Sequence, residues 1–333
     1  MKIGQVVVGS VVALIMANSA TAVVVGPGGG GGTSTGICAG GGLEGPAAGY
    51  NVFIVGHGDF VSADSSTAGN LAVAGSTQLT NHTVASGITG NSAAAVNPAM
   101  LVVGGRLSAA GGGVGSNLAG AIYSARKPWL KNFTATGGTF DQTLVDFDTA
   151  TTYYQELSAT LANEAVTGTT TFTPATSSST GASLSFTGTV SAGLNVFSVD
   201  SAKLSAAASI TISAPAGSAV IINVKGSFAN FRRGSVVETG VNNTAVIYNF
   251  YQAAQIRLGG SEDLEGSLLA PFAQVTAETG QLHGQVVAAA FYGQMQFESA
   301  PFACTLPAPT DSGTPGGGSH GHGCHGKDEQ HAW

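Results

Sequence analysis

The side chains able to do chemistry are few and lie far apart in this chain. His57 stands in Gly56-His57-Gly58-Asp59, where a glycine-flanked imidazole beside a carboxylate has the parts of an exposed acid or base. Glycines on both sides equally mark a tight turn, and that structural reading is the favoured one. Glu262, Asp263 and Glu265 form the one dense acidic cluster and would suit Ca²⁺ if backbone carbonyls joined them. Their spacing is not that of an EF-hand loop, and Gly266 behind them points to a solvated turn. His283 has no Ser and Asp partners that sequence order brings together, so no catalytic set is assembled. Near the C-terminus, His320, His322, Cys324, His325 and His331 offer imidazole and thiolate donors for Zn, Cu or Ni. Without C-x-x-C spacing, a solvated tail is preferred to a metal site. The expectation is a protein with no catalytic centre and no cofactor.

Two other residue sets bear on the compartment. Cys38 and Cys304 bracket the body of the chain and would close a very long loop in an oxidising environment, although sequence leaves open whether they meet. Asn81-His82-Thr83, Asn132-Phe133-Thr134 and Asn242-Asn243-Thr244 fit the N-glycosylation acceptor, used if the source is eukaryotic and Asn81, Asn132 and Asn242 are exposed. Lys2, an apolar run from Val6 to Ala17 and Ala20-Thr21-Ala22 have the form of a signal peptide over residues 1–22. The competing reading is an uncleaved anchor, because Val23 to Val25 lengthen the apolar stretch. The expected organisation continues with a Gly-rich lead-in over 23–48, a β domain over 49–304 and a Pro/Gly/His-rich flexible tail over 305–333.

Composition says what must position these groups. The chain has 333 residues and 9% charged side chains, against roughly 25% in an ordinary globular domain. Its 11 Lys and Arg are scattered, with no run longer than the pairs Arg126-Lys127 and Arg232-Arg233, which excludes a nucleic-acid binder. At 43% hydrophobic it is not a solvated disordered chain either. Aromatics are only 7%, so burial rests on Ala, Val, Gly, Ser and Thr, which pack thin repetitive β layers better than a wide helical core.

Short β-type runs punctuated by Gly, Ser and Asn fill the body: Asn51–Val55, Leu71–Ala74, Leu101–Val103, Leu194–Val199, Ile210–Ser213, Val220–Val224, Val246–Phe250 and Val286–Ala290. Gly266-Ser267-Leu268-Leu269-Ala270 returns after 18 residues as Gly284-Gln285-Val286-Val287-Ala288, and Leu101–Gly104 echoes after 17 as Leu118–Ala121. These echoes predict a β-solenoid with coils of roughly 17–19 residues. One helix interrupts it, from the cap Asp146 to about Glu164, with Phe147, Ala150, Tyr154, Leu157 and Leu161 on one face. Its stripe is read as packing against the solenoid side. Thr167–Thr180, nearly all Thr, Ser, Gly and Ala, is read as a linker in preference to a strand.

GYNVFIVGHGDF (49–60), GNLAVAGS (69–76), MLVVGGRLSA (100–109), VDFDTATTYYQELSATLA (145–162), GLNVFSVDSAKL (193–204), ITISAPAGSAVIINVKG (210–226), AVIYNF (245–250) and GSLLAPFAQVTAETGQLHGQVVAAAF (266–291) stand in this order. The set resembles the choice-of-anchor A domain family. The resemblance implies a mainly β, right-handed β-solenoid with a helix alongside, similar to the ice-binding protein fold, exported and surface-associated, with no known catalytic residues. Leu306-Pro307-Ala308-Pro309-Thr310 is only superficially similar to a Leu-Pro-x-Thr-Gly sorting signal, and no hydrophobic segment or basic tail follows. Covalent wall attachment and a stable transmembrane anchor are therefore not expected.

The functional expectation is a secreted, non-enzymatic adhesive protein, extracellular or loosely held at the cell surface. Its partners would be extracellular matrix, cell-wall polysaccharide or neighbouring copies. The alternative is an ice-binding protein using a flat Ser/Thr/Ala face, which the lack of a sustained T-x-T ladder disfavours.

Overall fold

The computed structural model describes residues 37–38, 43–88, 100–115, 120–176, 181–231, 235–259 and 263–309. The signal-peptide segment, most of the Gly-rich lead-in, Arg232-Arg233, Glu262 and the tail ligand candidates lie outside the described residues. The chain is mainly β, built on a curled parallel sheet, with two α-helices, α1 (Phe147–Asn163) and α2 (Ser201–Ala206).

The main sheet has 17 strands, and its parallel ladders stack successive passes of the chain side by side. One row of residues crosses ten strands: Phe197, Ile222, Tyr248, Leu268, Val286, Val52, Leu71, Leu101, Ile122 and Thr139 are neighbours in register. From Phe197 to Ile122 this row is buried and packs into the larger of two apolar clusters. Side chains on a strand alternate between faces, so the next residue along each strand points the other way. That second row runs through Asn223, Asn249, Leu269, Val287, Phe53, Ala72, Val102 and Tyr123 and faces α1. Burial on both sides explains why these strands read as unbroken apolar runs such as Val52-Phe53-Ile54 and Ile221-Ile222.

Helix α1 forms where the spacing predicted it. Asp146 caps it, its carboxylate accepting from the Thr149 backbone N–H at 3.1 Å and the Thr149 hydroxyl at 2.8 Å. Phe147, Ala150, Tyr154, Leu157 and Leu161 are buried against the sheet, and Phe53 meets the rings of Phe147 and Tyr154 at 5.8 Å each. Two asparagines fix the C-terminal half of the helix. Asn249 Nδ2 donates to Ser158 O and to Asn223 Oδ1, while Asn223 Nδ2 donates to Leu161 O at 2.7 Å. Ser158 Oγ donates to Asn249 Oδ1, so the polar atoms in this buried ladder satisfy one another.

Cys38 and Cys304 form a disulfide, 266 residues apart in sequence. Cys304 is buried with Phe302 and Leu43 in the cluster that contains α1, so the bridge ties the two ends of the described chain to the covered side.

Three expectations need correction. The 18-residue echo is a true register, with Leu268 beside Val286 and Ala270 beside Ala288. The 17-residue echo is not, since Leu101 pairs with Ile122, 21 residues on. Nor is the 17–19-residue period general: Leu71 lies beside Leu101, 30 residues on, and Ile222 beside Tyr248, 26 on. Extra residues between the paired segments do not disturb stacking, because only the paired segments must align. Finally, Thr169–Thr173, assigned above to a linker, is a strand antiparallel to Ala182–Thr187 in a separate four-stranded sheet. β-Branched Thr suits a strand, and Phe172 packs on the larger core from the one apolar position available.

Candidate functional site

The residues singled out as reactive do not converge. His57 is exposed in a turn, and the Asp59 carboxylate beside it accepts from the Ser76 backbone N–H at 2.8 Å, a structural use. Asp263 lies 3.7 Å from His283 Nε2, whereas Glu265 accepts from Asn243 Nδ2 at 2.7 Å. Among the described residues no three His, Cys, Asp or Glu side chains group to hold a metal ion. Asn81, Asn132 and Asn242 are exposed, with Asn81 Nδ2 donating to Asp64 Oδ1 at 2.9 Å. His320, His322, Cys324 and His325 lie outside the described residues.

What the strands do bring together is an uncovered surface. Past the corner that follows the α1-covered strands, Phe60–Thr67, Thr77–Val84, Leu107–Val114 and Trp129–Thr134 pair in parallel and in register. The corner is sharp because Gly58, Gly75 and Gly105 stack there. A Cβ on Gly75 would come within 2.4 Å of Gly58 O, and one on Gly105 within 2.6 Å of Gly75 backbone. Inward residues of these strands, among them Phe60, Leu79, Leu107 and Ala109, fill the larger core.

Outward residues form three rows. The first is Val61, Gln78, Ser108 and Trp129, the second Ala63, Thr80, Ala110 and Lys131, the third Ser66, Thr83, Gly113 and Thr134. Eleven of these twelve are neutral, and Lys131 lies on the strand at the edge. Between the second and third rows runs a bend of left-handed backbone: Asp64 (φ 48°), Asn81 (φ 49°), Gly111 (φ 72°) and Asn132 (φ 50°) are stacked neighbours. Asp, Asn and Gly are the residues that tolerate this region, so the bend recurs in each of these four strands. The first row continues on the other side through Tyr292, Thr276 and Arg257, whose guanidinium lies 5.6 Å from the Phe228 ring centre.

Behind this surface sits His82, fully buried, its Nε2 3.0 Å from Thr67 Oγ1 and its ring edge-on to Phe60. Desolvation lowers its pKa to about 4, so the ring is neutral near pH 7 and serves as packing. Residue-by-residue reading of the sequence did not reveal the three rows. Their one visible trace was the shortage of charge.

Residues 43–299 match the family model described as "Putative Ice-binding-like adhesive domain". The search of curated proteins found no match.

Proposed function

From the premise that this chain belongs to the ice-binding-like adhesive domain family, we propose that it is a non-enzymatic adhesive protein whose binding surface is the uncovered three-row face. The observation that carries this reading is the in-register array of mostly neutral residues that α1 leaves bare on these strands. Like charges on strands about 4.8 Å apart repel, and such rows stay neutral most readily with Ser, Thr, Gln and Ala. These groups recognise a ligand that is itself neutral, hydroxylated and repetitive, and Trp129 at the edge supplies an aromatic plate for a sugar ring.

Cell-wall polysaccharide is therefore the preferred partner, with matrix protein or neighbouring copies as the other adhesive partners. On our reading the chain is secreted through its N-terminal apolar segment, the stacked coils form a right-handed β-solenoid, and the finer family assignment is the choice-of-anchor A group. Among the described residues no helix is long and apolar enough to cross a membrane, and the disulfide is compatible with an extracellular site.

Ice binding is the second reading, favoured by the strand-spaced hydroxyls of Ser66, Thr83 and Thr134. The long side chains of Gln78, Trp129 and Lys131 interrupt the flat plane that ordered water would need. Pull-down on insoluble cell-wall polysaccharide, run beside an ice-recrystallisation assay, separates the two. Retention on glycan without recrystallisation inhibition supports adhesion. Inhibition at micromolar protein with no glycan retention overturns it.

A further inference from the structure

The stack of parallel ladders breaks where the four-stranded sheet meets the main sheet. Strand Ser235–Thr239 pairs with Ala207–Ser213 at the edge of the four-stranded sheet, and Leu264–Glu265 pairs with Leu282-His283 in the main sheet. The two edges are near one another, yet no ladder pairing joins them.

An unexpected side chain occupies this seam. Position 238 lies in register with Ile212, which lies in register with Phe186, and both of those fill the core. An apolar residue belongs there, and the residue is Glu238. Its Oε1 is buried without a hydrogen-bond partner. Tyr248, fully buried in the ten-strand inner row, has a hydroxyl that is also buried and unpartnered. Glu265 completes the group from the main-sheet side, held by Asn243 Nδ2.

The strands that carry Glu238 and Glu265 lie against one another, and the Tyr248 ring packs on Gly266, the residue after Glu265, where an added Cβ would come within 3.0 Å of it. Burial and then the charges of Glu238 and Glu265 push the Tyr248 hydroxyl pKa upward, and burial and then Glu265 push the Glu238 carboxyl up to about 7. A phenol within reach of a carboxylate would donate to it, since a buried unsatisfied pair is costly. Neither atom has a hydrogen-bond partner, so the two do not bond each other.

We propose that this seam is a binding site for a hard divalent cation of the Ca²⁺ class, with Glu238 and Glu265 as carboxylate ligands and the Tyr248 hydroxyl as a neutral oxygen ligand. The donor set is all oxygen, which suits Ca²⁺ and not the soft metals that Cys and His select. Two carboxylates balance its charge. Bound there, the ion would bridge the two sheets where backbone hydrogen bonds do not. The proposal is independent of the ligand assigned to the uncovered face.

Terbium titrated into the full chain with tyrosine excitation tests it, because Tb³⁺ occupies Ca²⁺ sites and emits when a nearby phenol transfers energy. Sensitised emission that saturates and is displaced by Ca²⁺, together with a Tm that rises in Ca²⁺, is the expected result. Glu238→Gln should abolish both, and Tyr248→Phe, which removes one oxygen and keeps the ring, should reduce emission while the protein remains folded. Emission that survives Glu238→Gln and Glu265→Gln would place the ion elsewhere and overturn the proposal. So would a Tm indifferent to Ca²⁺ with no saturable emission, the behaviour of a buried acid that merely keeps its proton.

Discussion

Two outward surfaces of the same curled sheet differ in almost everything except their backbone. On one, Leu269, Val287, Phe53, Ala72 and Val102 stand in register beneath α1. One corner away, the same passes of chain present Tyr292, Val61, Gln78 and Ser108 in a register just as regular. Ladder pairing therefore does not decide residue type. The cover does: a surface beneath a helix must be apolar or mutually hydrogen-bonded, as Asn223 and Asn249 are, while an uncovered one is free to be neutral and polar. Substitutions should accordingly cost stability on the covered side and binding on the uncovered side.

The strongest way to break this division is to release the covered side at its ends. Closing a loop of this length restricts the unfolded chain by roughly 5 kcal/mol in the chain-entropy model, so Cys304→Ser should lower unfolding free energy by an amount approaching that. Denaturant titration of the variant, with the wild type under reducing conditions as a second arm, measures it. A loss below about 1 kcal/mol would mean that packing of Phe302 and Leu43 alone secures the ends.

Next in size is Phe53→Ala. Phe53 is fully buried between Phe147, Tyr154 and the sheet, and truncating such a ring typically costs about 3–5 kcal/mol. Far-UV circular dichroism should show helix loss preceding sheet loss if α1 detaches first. A single coincident transition would make helix and sheet one cooperative unit.

How much of this was legible follows from the range of the interactions. The covering helix could be read directly, since Asp146 and the stripe from Phe147 to Leu161 are local signals. The 18-residue register of Leu268 with Val286 was legible because no insertion intervenes. The uncovered rows were not, for Gln78 meets Ser108 only after 30 residues, a spacing that no fixed period predicts. Glu238 was equally hidden. In Ser235-Val236-Val237-Glu238-Thr239 it resembles an ordinary solvated strand residue, and only its register with Ile212 reveals an inward position.

A smaller, pH-dependent effect sharpens the comparison from inside the uncovered side. The folded chain holds His82 neutral down to about pH 4, whereas the unfolded chain takes up a proton near 6.5. The unfolded state thus binds more protons between those values, and stability should fall as pH drops from 6.5 to 4. Glu238 acts in the opposite sense. Its folded pKa near 7 lies above the unfolded 4.5, so its share of stability is present below 4.5 and lost as pH rises to 7. Unfolding curves across pH 4–7 in the Glu238→Gln background isolate the histidine. A slope that persists in Glu238→Gln/His82→Leu would assign it to other groups.

The smallest expected change in stability carries the most weight for function. Thr80 is exposed at the centre of the second row, between Ala63 and Ala110, and no described side chain depends on its hydroxyl. Thr80→Glu should shift unfolding free energy by no more than about 0.5 kcal/mol, the usual range for a surface position away from caps and networks. If the neutral rows are the adhesive surface, the same substitution puts a carboxylate at their centre and should remove most retention on polysaccharide. A matched charge outside the rows, Val237→Glu on an exposed position of the four-stranded sheet, should leave retention intact. Equal losses from both would reduce the effect to net charge, and no loss from Thr80→Glu would move the binding surface off this face.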